Sequence, residues 1–236
     1  MRTEKLRIPV GEADSVGATI AYPYAKPRRT GVLLAHGAGN DRFSDLLCGV
    51  QRNLARRGGA VCATFNFLYA ERGRRIPDPL PVLVQTYREV FRSLRQSLAR
   101  HVQQWVIGGK SLGGRVASHL VAEGEEACGL VFLGYPLHPR GKPEQLRTEH
   151  LRRIAVPMLF VQGSRDPLCD LNILEGVLDE LRKRYRRKVR LAVIWDGDHS
   201  FVVPRRLGLA QELVYAEIAD QVARWLNCVE EGDWSS

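Results

Sequence analysis

Residues 109–113 read Gly-Lys-Ser-Leu-Gly, a G-x-S-x-G that sets one hydroxyl between two glycines. The pattern suits a nucleophile carried on a very tight strand-to-helix turn. Such a turn lifts Ser111 clear of a sheet in a strained backbone conformation, and only glycine on either side leaves room. The helix that follows brings positive potential and free N–H groups beneath the hydroxyl. A plain glycine-rich β-to-α turn can carry the same five residues, so context decides. Here a strand-like stretch at 104–108 precedes the motif and a helical stretch at 112–123 follows it.

A serine hydroxyl is a weak nucleophile until a base takes its proton. His199, within Asp196-Gly197-Asp198-His199-Ser200, follows the last strand-like run, where a base can reach back over the sheet edge. His101 and His119 fall in helical stretches and His150 in a charged one. The orienting carboxylate is expected after the strand-like run 158–162, where Gly163-Ser164-Arg165-Asp166-Pro167 offers Asp166. Asp170 is its rival four residues on, and Asp198 is too close to His199 in sequence for an easy side-chain hydrogen bond. The chain order Ser, Asp, His is the one expected of a nucleophile elbow on an α/β sheet. Acyl transfer also needs donors for an oxyanion. The amide of Leu112, next after the nucleophile, is one candidate. Ala38, in the His36-Gly37-Ala38-Gly39 turn after the run 31–35, is the second.

These residues need a sheet to bring them together. Apolar runs at 31–35, 61–65, 105–108, 130–133, 158–162 and 189–195 read as buried strands. Runs at 5–10 and 18–22 suggest an N-terminal β-hairpin. Leu83, Tyr87, Val90, Phe91, Leu94 and Leu98 share one helical face after the prolines of 77–81. Val214, Ile218, Val222, Trp225 and Leu226 do the same near the end. Strands alternating with helices predict one α/β domain over residues 1–236. It is expected to be a three-layer α/β/α sandwich on a mostly parallel sheet of about seven or eight strands. Between 134 and 157 there is room for the single helix read at 144–153 but for no cap, so the site is expected to be shallow and open.

The matching blocks are HGAG at 36–39, GGKSLGGR at 108–115, GYPLHPRGKPE at 134–144, VQGSRDP at 161–167 and GDHSF at 197–201. Through them the chain resembles the α/β-hydrolase superfamily over nearly its whole length, in a compact capless form like dienelactone hydrolase. More narrowly it is similar to a group of bacterial α/β-hydrolases that themselves resemble testis-expressed and chromatin-complex proteins of animals. The resemblance implies Ser111 as nucleophile, His199 as base, Asp166 as acid, and Leu112 and Ala38 at the oxyanion hole. Dienelactone hydrolases proper carry a cysteine nucleophile where this chain has Ser111.

The surroundings define the partners to expect. His36, Tyr135 and His138 are candidate substrate contacts, and Arg72, with Arg74 and Arg75, could attract an anionic substrate. The formal net charge is +9, with arginine outnumbering lysine about five to one. One basic run, LRKRYRRKVR at 181–190, precedes a strand and so belongs on the sheet edge opposite Ser111. It reads as a solvated helix end without a nucleic-acid reading motif. Five scattered cysteines without a CxxC pair suit free thiols in a reducing cytoplasm, and no apolar segment suggests a signal or a membrane span. The expectation is therefore a cytoplasmic monomer or homodimer acting on a small acyl substrate with neither cofactor nor metal. A non-catalytic binding or scaffold protein on the same fold is the alternative.

Overall fold

The computed structural model describes residues 1–25, 27–185 and 188–234. Its centre is one eight-stranded sheet: β1 (Arg2–Val10), β2 (Asp14–Tyr22), β3 (Thr30–Ala35), β4 (Cys62–Phe65), β5 (Gln104–Lys110), β6 (Gly129–Leu133), β7 (Met158–Gly163) and β8 (Val189–Ile194). The spatial order is β1-β2-β4-β3-β5-β6-β7-β8. β3 to β8 are parallel, whereas the β1–β2 hairpin is antiparallel and joins β4 antiparallel. The hairpin is longer than its apolar runs suggest, with Arg2 opposite Tyr22 and Val10 opposite Asp14.

Every residue of β3, β4, β6 and β7 is buried, as expected of strands covered on both faces. Alternate side chains serve the two covers. Leu33, Ile107, Phe132 and Phe160 meet α3 (Leu80–Ser97), α4 (Leu112–Ala122) and α5 (Leu171–Arg184). Val32, Val106, Val131 and Val161 meet α1 (Asp45–Arg56) and α6 (Gln211–Glu231) on the other face. The result is the three-layer α/β/α sandwich. A one-turn helix, α2 (Leu68–Glu71), follows β4.

The connection between β6 and β7 departs from expectation. Instead of a helix over 144–153 it holds only a 3-10 turn, Glu149–Arg153. The Arg147 N–H is spent on the Leu137 carbonyl and the Arg147 carbonyl accepts the Tyr135 hydroxyl, which leaves no helical ladder through the segment. No cap is built there, and the carboxyl edge above β5 to β7 stays uncovered.

The strand order also makes a topological switch. β3 sits between β4 and β5, so the chain leaves β3 in one direction and returns on the other side. The chain segments after β3 and β5 therefore lead to helices on opposite faces of the sheet, the topology at whose carboxyl edge α/β ligand sites form. Of the basic run at 181–190, Arg186 and Arg187 lie outside the described residues. Its described members lie at the end of α5 and the start of β8, on the sheet edge opposite Ser111. Among the described residues, no helix is long and apolar enough to cross a membrane.

Candidate active site

Ser111 occupies the turn between β5 and α4 with φ +50° and ψ −110°, a region costly for any residue with a side chain. Two contacts hold it there. The Ser111 N–H donates to the Leu133 carbonyl of β6 at 3.0 Å, and its carbonyl accepts from the Arg115 N–H at 3.1 Å. The flanking glycines are sterically required. A Cβ on Gly109 would lie 2.2 Å from the Ala35 carbonyl oxygen, and one on Gly113 would lie 2.3 Å from the same atom. The elbow is thus wedged against the end of β3, which brings the 36–39 loop alongside Ser111.

His199 comes from the loop after β8. Asp198 organises that loop, its Oδ1 accepting from the amides of Ser200 (2.7 Å) and Val202 (2.9 Å). Phe201 adopts φ +59° and drives its ring fully into the core, anchoring the loop. The loop is also stitched to the turn after β7. Arg165 N–H donates to Gly197 O at 2.8 Å, and Asp196 N–H to Ser164 Oγ at 2.8 Å. The turn after β7 carries Asp166, so His199 and Asp166 are mounted on one joined pair of loops.

The three side chains form a continuous hydrogen-bonded line. His199 Nε2 lies 2.9 Å from Ser111 Oγ, and His199 Nδ1 lies 2.7 Å from Asp166 Oδ2. The Asp166 carboxylate is wholly buried and already accepts from Gln162 Nε2 (2.6 Å) and Leu168 N–H (2.8 Å). A carboxylate so placed can only accept, so the imidazole proton belongs on Nδ1 and Nε2 is left to accept from the Ser111 hydroxyl. The His199 side chain is 24% exposed, which leaves the line open to solvent at the serine end.

The rival carboxylate has another task. Asp170 Oδ1 caps α5, accepting from the amides of Asn172 and Ile173 at 2.8 and 3.2 Å. On the other side of Ser111, the Leu112 and Ala38 N–H groups have no acceptor among the described residues. Gly37 packs closely beside Ser111, with a Cβ built on it 3.6 Å from that of the serine. Ala38 itself is exposed.

The expected substrate contacts need correction. His36 is fully buried; its Nε2 accepts from the Phe67 N–H (3.1 Å) while Nδ1 donates to the Gly37 carbonyl (2.9 Å). Burial pushes its pKa down, so it stays neutral and braces the Gly37–Ala38 turn from below. Tyr135 is also buried, with its hydroxyl donated to the Arg147 carbonyl at 2.6 Å. His138 is buried too, accepting from the Asp170 N–H at 3.3 Å. Both belong to the scaffold under the site, because the proline-bounded segment folds inward. Arg72 is paired with Asp14 at 2.7 Å and Arg74 with Asp78 at 2.6 Å, which leaves neither as a free anion attractor.

Lys110 was not anticipated as part of the site. It is buried directly beneath the His199 loop, its ammonium close to Gly134. Burial lowers its pKa to about 8, against the opposing pull of Asp166 and Asp198. The available signal was a lysine next to Ser111, at the end of a strand whose preceding five residues, Trp105 to Gly109, are all apolar or glycine.

A model of an alpha/beta hydrolase domain matches residues 28–227. The chain belongs to the α/β-hydrolase family. Solved structures similar to this α/β-hydrolase cover nearly all of both chains. An esterase of Pyrococcus furiosus is 16% identical, with a TM-score of 0.74 over 96% of this chain and 92% of its own. A dienelactone hydrolase of Anabaena variabilis is 20% identical, with a TM-score of 0.69 over 95% and 96%. A lidless α/β serine hydrolase of Xanthomonas campestris is 16% identical, with a TM-score of 0.69 over 94% of each chain. At these identities the likeness speaks for the fold alone.

Proposed function

We propose that this chain is a serine hydrolase that cleaves a small ester or related acyl compound through a covalent acyl-enzyme. The observation that carries the reading is the line Ser111 Oγ to His199 Nε2 at 2.9 Å and His199 Nδ1 to Asp166 Oδ2 at 2.7 Å. In that geometry Ser111 Oγ attacks the substrate carbonyl while His199 Nε2 takes its proton, and Asp166 stabilises the imidazolium. The free N–H groups of Leu112 and Ala38 receive the oxyanion. Collapse breaks the acyl–oxygen bond, and the alcohol leaves with the proton from His199. Water then repeats the sequence on the acyl-serine, with His199 again as base, releasing the acid and restoring Ser111.

The uncovered carboxyl edge favours small or exposed acyl groups over long enclosed chains. A fluorophosphonate probe tests the reading directly. Wild type is expected to label, and Ser111→Ala and His199→Ala to lose labelling by about 10³-fold or more. A folded wild type that does not label would overturn it in favour of a binding protein on the same fold.

A further inference from the structure

Beside the elbow helix lies a second polar cluster that the proposed hydrolysis does not use. α4 and the 3-10 turn Glu149–Arg153 border a cavity of about 620 Å³ lined by Arg115, His119, Arg147, Thr148, His150 and Arg153. Neighbouring arginines are matched by carboxylates: Arg88 with Glu123, Arg92 with Glu125, Arg95 with Glu126 and Arg152 with Glu180. Arg115, Arg147 and Arg153 have no carboxylate partner among the described residues. Glu149 also lines the cavity but is exposed and pairs with none of them.

Within the cluster the Nε of Arg115 is buried without an acceptor. His119 and His150 stack with ring centroids 3.8 Å apart. His150 is held in place by Ser118, whose Oγ lies 2.8 Å from its Nε2 and donates to the Arg115 carbonyl at 2.7 Å. Burial and the surrounding cations push both imidazoles down, His150 to about 3, so neither adds charge at neutral pH. The cavity therefore presents three uncompensated guanidinium groups beside two neutral, rigid rings. Gathering like charges around one space is unfavourable unless an anion fills it.

We propose that this cavity binds the phosphoryl group of a small molecule. Guanidinium forks match phosphate oxygens bidentately, and a dianion compensates three cations better than a single carboxylate does. Arg115 lies one turn into the helix that Ser111 opens. The phosphoryl group could thus belong either to a free phosphorylated ligand or to the far end of an acyl substrate, and the shared chemistry is the same.

Calorimetric titration of the full chain with inorganic pyrophosphate at 0.15 M salt tests this without reference to catalysis. The expected result is saturable one-site binding. It should weaken about 100-fold in Arg147→Gln/Arg153→Gln, since each charge-assisted contact is worth about tenfold. Arg92→Gln/Arg95→Gln, on the carboxylate-matched surface nearby, is expected to bind as wild type does. Absence of saturable binding, equal affinity in both double variants, or equally tight binding of acetate would overturn the proposal. The source of the phosphoryl group is read from a second arm, which rests on the serine hydrolase reading. Pyrophosphate that slows fluorophosphonate labelling of Ser111 marks the end of an acyl substrate, and labelling left unchanged marks a separate ligand.

Discussion

Gln162 Nε2 donates to Asp166 Oδ2 at 2.6 Å, the same oxygen that meets His199 Nδ1, while Gln162 Oε1 accepts from the Tyr135 N–H at 2.9 Å. The amide at the end of β7 therefore ties the carboxylate to the β6–β7 segment. Gln162→Glu keeps an acceptor for Tyr135 but turns a donor into an acceptor against Asp166. The expected outcome is fluorophosphonate labelling of Ser111 slowed about tenfold or more, read as a second-order rate constant. A rate equal to wild type would show that Asp166 needs no such support.

The two aspartates at the head of α5 are separable by experiment. Asp166→Asn removes the acceptor that fixes the His199 tautomer, and labelling is expected to fall about 10³-fold with little change in Tm. Asp170→Ala removes a helix cap, and the expectation reverses: stability falls by about 1 kcal/mol and labelling stays. Denaturant titration and labelling of the same two proteins give both readouts.

The elbow glycines are the most sensitive steric positions. Gly113→Ala drives a methyl group into the Ala35 carbonyl, at a built distance of 2.3 Å. Neither partner is a flexible side-chain end, so backbone must move. Destabilisation of about 3 kcal/mol or more is expected in urea unfolding, with labelling lost in any folded fraction. An alanine variant as stable as wild type would contradict the close packing of α4 on β3.

Lys110 links stability to alkaline pH. Its pKa is about 8 in the native chain against an ordinary 10.5, so between those values the unfolded chain holds a proton that the native chain has lost. Stability from this residue therefore rises with pH: its penalty is complete below pH 8 and relieved by about pH 10.5. Lys110→Met is expected to be more stable than wild type at pH 7 by about 3 kcal/mol, the difference shrinking as pH rises through that window. Groups common to both proteins cancel, so the difference in urea midpoint between pH 7 and 10 is the measurement. A difference independent of pH would place the lysine ammonium in water.

Much of this molecule is written locally. A strand buried on both faces is mostly apolar, which is why β3, β4, β6 and β7 are visible as short runs without reference to one another. A tight strand-to-helix elbow needs glycine at fixed offsets, so the turn at Ser111 is visible from its neighbours alone. Leu112, Ala38, Asp166 and His199 follow as residues at strand ends. The segment 144–153 departs from its expected helix for the opposite reason. Its residues are compatible with a helix, but the Arg147 amide and carbonyl find partners in Leu137 and Tyr135, distant in sequence.

The sequence by itself thus determined the class of fold, the elbow and the small set of side chains able to serve it. Only the tertiary structure decided which of them meet. Asp166 and Asp170 sit in the same loop, and sequence favours Asp166 only by its place nearer the strand end; the stitching of the β7 and β8 loops assigns them, by presenting one to His199 and leaving the other to cap α5. Burial likewise turned His36, Tyr135 and His138 from substrate contacts into supports, and placed Lys110 beneath the histidine loop. The arginines facing the α4 cavity belong to the same group, because Arg115 and Arg147 become neighbours only when the β6–β7 connection folds back on α4. Local spacing records what a backbone segment can be, whereas side-chain partnership depends on sheet register and loop packing, which join residues far apart in the chain.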